Sequence, residues 1–498
     1  MTGLRVDDLL GEQIATRRDA LALEDATGAQ WTYGDLNTAA QALAQHLRTS
    51  GVQAGDRVMV ISENCAAAVA ALFGTWMIGA VAVPVNARQT GPEIDKVIAH
   101  AQPRAVLFTT SVSVDAAQHA TRLGAQDATG PWGKLGLLHP ICDGVASDAD
   151  IAVILYTTGT TGTPKGVMLS HGNLRFGAST SATFRGMSPR DLIYGVLPMT
   201  HVFGLCSIVL AAVHAGSAVR LIPRFDVGAV FRGLRDGITL FSGVPQMHAV
   251  LMAHAQAEGL AQLGSAHLRF VSSGAAPLDP AWKRKAEAFY GVAMQNGYGM
   301  TESTAGIAAT QNEMGDTDTY VGPPLPGVEV AIDTAVTGGG DGMGEVLTRG
   351  AHVMPGYFRA PDATAQVLGA DGWLRTGDLG RIDGVGRLHI LGRSKELIIH
   401  GGFNVYPPEV EAALNDHPDV VQAAVVGQRK GGDEHVLAFV QLTKDAVADE
   451  AALRAFVATR LAGYKRPSAY VFAKALPAAT TGKILKHKLI DTFADDLT

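Results

Sequence analysis

The 498-residue chain holds only three cysteines, Cys65, Cys142 and Cys206, scattered and odd in number. That excludes a disulfide framework and fits a reducing compartment. No His/Cys spacing suggests a zinc site. Dense Lys/Arg runs are missing and the net charge is −7, with 40 basic against 47 acidic residues, so no nucleic-acid partner is expected. The segment Met1 to Arg18 mixes charges early and lacks a signal peptide's apolar stretch, so the expected location is cytoplasmic. One uncharged run, Cys65 to Asn86, is long enough to span a bilayer. It is rich in alanine, interrupted by Gly74, Gly79 and Pro84, and unflanked by basic clusters. It reads as a buried helix to about Ile78 and a short strand over 80–83, with no transmembrane segment expected.

What is present points to a large enzyme-sized molecule. Nearly half the residues are apolar (47%), and the length calls for two or more domains. Short β-branched runs alternate with helical patterns: Arg57 to Ile61, Ala105 to Phe108, Ile151 to Ile154, Ala218 to Ile222. The fold class is α/β, with mainly parallel sheets flanked by helices. Gly338 to Gly344 reads as a tight turn, and Glu345 to His400 is more strand-like. After Gly401-Gly402, a helix opened by Pro407-Pro408-Glu409 and strands near 420–426 and 436–442 suggest a small α+β domain.

The densest chemical signal is Tyr156-Thr157-Thr158-Gly159-Thr160-Thr161-Gly162-Thr163-Pro164-Lys165-Gly166, with three glycines, five threonines and one lysine after an apolar strand. Glycines let several N–H groups point at one anion, threonines add donors, and the lysine adds a full charge. The run suits polyphosphate, although a mobile Thr/Gly linker is the alternative reading. It is not the usual P-loop: Pro164 and Gly166 flank the lysine, which argues against a helix starting there. Four further segments stand out. Gly297-Tyr298-Gly299-Met300-Thr301-Glu302-Ser303 is also readable as a plain strand-to-helix turn with Thr301 as cap. Trp373-Leu374-Arg375-Thr376-Gly377-Asp378 is followed by Leu391-Gly392-Arg393-Ser394-Lys395-Glu396. Pro198-Met199-Thr200-His201-Val202-Phe203-Gly204 carries a histidine that could equally be a core residue. Leu476-Pro477-Ala478-Ala479-Thr480-Thr481-Gly482-Lys483 ends in a lysine, a residue usually solvated.

These segments, in this order and over roughly residues 30 to 490, closely resemble the adenylate-forming superfamily of acyl- and aryl-CoA synthetases, amino-acid adenylation domains and luciferase-like enzymes. Thr158 stands where serine is commonest, and the hydroxyl is kept. The resemblance implies a large N-terminal domain with a β-rich subdomain (residues 1–394) and a small mobile C-terminal domain (395–498) turning about Lys395. It implies ATP, Mg2+ and coenzyme A as partners of a small carboxylic acid. ATP phosphates would meet Thr157, Thr158, Gly159, Thr160, Thr161, Gly162 and Lys165. The nucleoside would lie against Gly274, Ala275, Ala276, Asn296, Gly297, Tyr298, Gly299 and Met300, with Tyr298 stacked on adenine. By the same resemblance, Thr301 holds the α-phosphate, Glu302 ligates Mg2+, Asp378 takes the ribose hydroxyls and Arg393 contacts ribose or phosphate. His201 positions the carboxylate, Lys483 is the catalytic lysine of adenylation, and Gly401, Gly402 and Phe403 close the thiol tunnel.

Tyr464-Lys465-Arg466-Pro467 is typical of CoA ligases, its cations suited to CoA phosphates; a solvated helix end is the alternative. The loop Gly427 to Glu434 is short relative to the common pattern. Val202 replaces the Asp of amino-acid-activating relatives, and Val244-Pro245-Gln246-Met247-His248-Ala249-Val250 offers no Arg for a second substrate carboxylate. Phe203, Val244, Met247, Ser273, Gly274, Ala275 and Ala276 are apolar or small. The implied acid is monocarboxylic, aromatic or short-to-medium aliphatic. An adenylating enzyme with a non-CoA acceptor and a non-catalytic AMP-binding regulator are the rival readings, and a homodimer is compatible with all three. Lys483→Ala is expected to abolish acyl-adenylate formation, read as acid-dependent pyrophosphate release; a variant that forms the adenylate normally would sink the assignment.

Overall fold

The alternating runs become two eight-stranded sheets, each built on a parallel centre with antiparallel edges. The structure is a computed structural model; it describes residues 4–139, 150–158, 164–274, 278, 280–304, 306–316, 320–336, 339–401, 403–430, 433–443, 446–478 and 484–497, with 158, 164, 281 and 430 by backbone alone. In the first sheet, Leu240–Gly243, Phe270–Ser273 and Met294–Tyr298 are adjacent parallel strands beside Leu192–Gly195. Their carboxyl ends therefore open on one side of the sheet. In the second, Val81–Asn86 lies between Arg57–Ser62 and Ile151–Thr158, and the latter turns back antiparallel along Pro164–Ser170.

The uncharged run resolves into a helix, Ala66–Met77, and the strand Val81–Asn86. Every helix residue but Met77 is buried, which explains a stretch that is apolar all round. No helix among the described residues is long and apolar enough to cross a membrane. The strand runs further than its β-branched signature suggests because Pro84 is tolerated. Its ladder to Arg57–Ser62 is continuous, whereas on the other side only Ala82↔Val153 pairs, so the missing N–H leaves no gap in a full ladder. Gly74 lets this helix lie against Tyr33–Thr49: a Cβ there would stand 2.7 Å from the Ala40 carbonyl oxygen.

Beyond Val328, a four-stranded antiparallel sheet forms from Val328–Asp333, Met343–Gly350, Leu374–Ile382 and Leu388–Arg393. The C-terminal region holds a three-stranded sheet of Val420–Lys430, Asp433–Leu442 and Ala469–Ala473 with its own apolar core. Here the sequence reading needs correction. Gly427 to Lys430, Asp433 and Glu434 are strand rather than loop: Gly427↔Val436, Gln428↔His435, Arg429↔Glu434 and Lys430↔Asp433 are hairpin pairs, and 431–432 lie outside the described residues. Its charged residues, which read as loop on composition, belong to strand ends that reach past the core. Gly401 also sits between two short strands, Ile398–His400 and Phe403–Val405, that composition does not reveal.

Gly74→Ala is expected to destabilise by about 1–3 kcal/mol through overpacking, although alanine is the better helix former; a raised thermal midpoint would contradict the close approach. His171, His248 and His352 are buried, and burial pushes each pKa down to about 4. Unfolding returns them to about 6.5, so the unfolded chain binds more protons below that pH. Stability is intact above pH 6.5 and falls towards pH 4, by about 2 kcal/mol per histidine between pH 7 and 5. Urea midpoints measured at those two pH values check it; equal midpoints would refute it.

Candidate active site

The motif residues come together at the carboxyl ends of the first sheet's parallel strands, where ligands of open α/β sheets characteristically bind. Ser273 pairs with Asn296, so Gly274 and Gly297 follow side by side. Asn296 is buried; its backbone N–H donates to Thr310 Oγ1 (2.8 Å) and its side-chain oxygen accepts from Gly297 N–H (2.9 Å). Gly299 and Met300 lead into a single helical turn, Thr301–Ser303, capped by the Ser303 hydroxyl on Met300 N–H (2.9 Å) rather than by Thr301. Thr301 is buried and Glu302 half-buried.

Two charge constellations flank this turn. In the first, Asp378, 5% exposed, accepts from the Tyr298 hydroxyl at 2.6 Å and pairs with Arg393 Nε at 3.0 Å. The antiparallel register Asp378↔Arg393 places the ion pair across adjacent strands. Asp378 N–H donates to Thr376 Oγ1 (3.1 Å), whose own hydroxyl donates to the Val346 carbonyl (2.7 Å). Burial, then the Asp378 charge, raise the Tyr298 pKa well above its ordinary value, so the phenol stays protonated and donates. Arg393 is held above its usual range first by Asp378, with Glu396, Tyr298 and Glu302 adding to it.

The second constellation joins Lys165 to Glu302 through a residue the sequence did not single out. Lys165 Nζ lies 5.0 Å from the centroid of the Tyr357 ring, and the Tyr357 hydroxyl donates to Glu302 Oε1 at 2.8 Å. Burial and the Glu302 charge raise the tyrosine's pKa, which keeps it a donor. Tyr357 arrives by a two-residue strand, Gly356–Tyr357, paired with Met168 and Val167, which makes Lys165 its diagonal neighbour. So short a strand carries no sequence periodicity. Met354 N–H also donates to the Glu302 carbonyl at 2.9 Å, anchoring the turn to the same segment.

His201 lies on the connection from Leu192–Gly195 into a π-helix, Phe203–Leu210. Its Nδ1 accepts from Phe203 N–H at 3.4 Å. Gly204 is required there, since a Cβ would fall 2.2 Å from the Pro198 carbonyl oxygen. Phe203 reaches the nucleoside-side strands: a Cβ on Gly274 would be 2.9 Å from its ring. Val244 immediately precedes the helix Pro245–Ala257, and Met247 lies in its first turn.

Other expected residues stand apart. Lys395, within the turn Ser394–Glu396, is exposed. Gly401 N–H donates to both Asp433 carboxylate oxygens (3.0 and 3.1 Å), and exposed Phe403 stacks on Tyr464 with centroids 4.6 Å apart. Lys465 pairs with Glu409 (2.5 Å), and Arg466 donates to the Leu461 and Ala458 carbonyls (2.9 and 3.1 Å), so both cations already have protein partners. Gly159, Thr160, Thr161, Gly162, Ala275, Ala276, Gly402 and Lys483 lie outside the described residues, as does the side chain of Thr158; Thr157 pairs with Lys165 across the strands that frame that loop.

Residues 10–358 match the AMP-binding enzyme family, and residues 409–483 match its C-terminal domain. The chain belongs to the AMP-binding enzyme family. It is 33% identical to a long-chain-fatty-acid–CoA ligase of Bacillus subtilis (strain 168), over 93% of this chain and 90% of that one. It is 34% identical to a feruloyl-CoA synthase of Amycolatopsis, over 93% and 94%. The crystal structure of ATP-bound MatB from Rhodopseudomonas palustris superposes with a TM-score of 0.85 at 33% identity, over 99% and 100%. This AMP-binding enzyme is an acid–thiol ligase of the acyl-CoA synthetase class.

Removing one hydrogen bond to a charged group generally costs about 1.5–3 kcal/mol, so Tyr298→Phe is expected to weaken AMP binding roughly tenfold or more. Asp378→Ala should weaken it further, because Arg393 then loses its anion. Calorimetric titration with AMP checks both; an unchanged Kd for Asp378→Ala would remove Asp378 from the nucleotide site.

Proposed function

We propose that the acid this ligase activates is monocarboxylic, either aromatic of the benzoate or cinnamate kind or short-to-medium aliphatic. The reaction has two halves. A carboxylate oxygen bonds to the α-phosphorus of ATP and pyrophosphate leaves, giving acyl-AMP. The CoA thiol then attacks the acyl carbon, loses its proton, and AMP leaves with the electron pair of the broken C–O bond. The observation that carries the assignment of residues is the meeting of Tyr298, Asp378 and Arg393 beside the Lys165–Tyr357–Glu302 chain.

In this reading Asp378 accepts from the ribose hydroxyls, a role suited to a buried carboxylate already fixed by two donors. Arg393 neutralises it and reaches towards phosphate. Lys165, beside the Tyr357 ring, supplies charge to the β- and γ-phosphates, and the Thr157–Gly162 segment supplies donors. Tyr298 presents its ring to adenine while its hydroxyl stays on Asp378. Thr301 holds the α-phosphate, and His201 with Phe203 seats the carboxylate against Gly274, Ala275 and Ala276. Lys483 stabilises the charge building between carboxylate and α-phosphate. Among the described residues no group of three metal-ligating side chains exists, and one carboxylate fixed by Tyr357 suits an ion that takes its remaining ligands from phosphate and water. Glu302 would hold Mg2+, which when bound neutralises charge on the phosphates.

The small domain, from Lys395 onward, turns about that residue after adenylation; its exposure at the end of the four-stranded sheet supports a hinge. Gly401, Gly402 and Phe403 then line the path of the thiol, with Gly401 held by Asp433. A division into 1–394 and 395–498 follows. Buried Cys65 and Cys206, both free thiols, fit the cytoplasm. The test is AMP release with ATP and Mg2+ across a panel of carboxylic acids, with and without CoA. Turnover should require an acid and CoA together; acid-dependent pyrophosphate release that never yields a CoA thioester would overturn the acceptor.

A further inference from the structure

Asn64 lies between the strand Arg57–Ser62 of the second sheet and the helix Ala66–Met77, yet its side chain reaches the first sheet. Its amide nitrogen donates to the Gly195 and Leu197 carbonyls at 3.0 and 2.9 Å. Its amide oxygen accepts from Met199 N–H at 2.9 Å. Two carbonyls facing one end and an N–H facing the other admit a single orientation of the amide. The residue is 3% exposed, so these bonds form away from water. All three partners lie on the stretch that leaves the strand Leu192–Gly195 and runs to His201.

That stretch belongs to neither a strand nor a helix, so other groups must set its path. Val196, Leu197 and Met199 are buried, and a polar backbone group freed there would be costly. Just beyond them, His201 N–H donates to the Pro198 carbonyl at 3.0 Å, which ties the histidine to the tethered residues. Asn64 is itself held on both sides. The neighbouring Glu63 carboxylate accepts from Arg224 Nε and its NH2 group at 2.8 and 3.1 Å, just past the strand Ala218–Leu221 of the first sheet. Ala66 N–H donates to Asp25 Oδ2 at 2.7 Å. Two consecutive side chains thus join the end of one strand in the second sheet to the ends of two in the first.

We infer that Asn64 is a positioning residue for the acid: by tethering residues 195–199 its amide sets where His201 stands. This rests on the ligase reading above, in which His201 seats the reacting carboxylate. The hydrogen bonds of the Asn64 side chain go to this segment and not to the strands that carry Asn296, Tyr298 and Asp378. Its loss should therefore damage the use of the acid and spare nucleotide binding. Misplacing a group by about an ångström is enough to cost about a hundredfold in rate.

The test compares the natural protein, Asn64→Ala, His201→Ala and the double variant, with the acid that turns over best. Acid-dependent pyrophosphate release yields kcat/KM for the acid, and calorimetry yields the Kd of AMP. Asn64→Ala should lower kcat/KM by about ten- to a hundredfold and leave the Kd of AMP within about twofold. Added to His201→Ala it should cost less than about threefold, because the group it positions is gone. Losses that multiply in full would overturn the inference, as would AMP affinity falling in step with kcat/KM; either marks a merely structural asparagine. In histidine-labelled protein, the magnetic resonance signal of the His201 ring, identified by its loss in His201→Ala, should move in Asn64→Ala. An unmoved signal would sink the tether. Asn64→Asp keeps the side chain's size and the oxygen facing Met199 but removes both donors, and should move the signal too if the alanine variant fails to fold. In the natural protein the Met199 amide should exchange its hydrogen slowly; exchange as fast as an exposed amide would rule the tether out without any variant. Absence of pyrophosphate release with every acid would sink the ligase reading, while the His201 signal still decides the tether.

Discussion

A carboxylate buried between a phenol and a guanidinium holds this molecule's site together. Asp378 lies on the four-stranded antiparallel sheet, Tyr298 at the carboxyl end of a parallel strand in the first large sheet, and Arg393 on the last strand before the C-terminal region. Leaving Asp378 or the Tyr298 hydroxyl without a partner would strand a polar or charged group away from water, a penalty larger than the net gain of an ordinary hydrogen bond. The triad therefore fixes how the four-stranded sheet sits on the sheet that carries Tyr298. It also leaves Asp378 with its orientation set before any ligand arrives.

The same economy governs Lys165 and Glu302. Lys165 lies on a strand of the second sheet and Glu302 in the turn Thr301–Ser303; they carry opposite charge, yet they do not form a direct ion pair. Tyr357 stands between them, offering its ring face to the lysine and its hydroxyl to the carboxylate. An aromatic spacer leaves the cation and the anion without the direct salt bridge that would have satisfied both internally, as the proposed phosphate and metal roles require. At the other end of the chain the logic is reversed. Lys465 and Arg466 are fully engaged by Glu409 and by carbonyls, so they brace the small domain and are less open to a distant phosphate than their sequence suggests.

Phe203 and Phe270 present their rings to the Arg185 guanidinium, which also donates to the Ser207 carbonyl. The π-helix from Phe203 to Leu210 widens the turn at this point, and Gly204 lets the chain double back over Pro198 to start it.

The sequence by itself determined the α/β class, the buried uncharged helix, the order of the five motifs and the family, because those features are local: periodicity, turn residues and short runs of donors. Asp378, Tyr298, Arg393, Lys165 and Glu302 were legible for that reason. Tyr357 was not, since it belongs to a two-residue strand that carries no pattern. Its role arises from strand register and from packing between segments far apart in the chain. The hairpin that replaces the expected loop at Gly427 to Glu434 has the same origin, because its partner strand, more than its own composition, made it extended. Chemistry was written in the sequence as residue types; which residue meets which was decided only when the sheets brought their ends together.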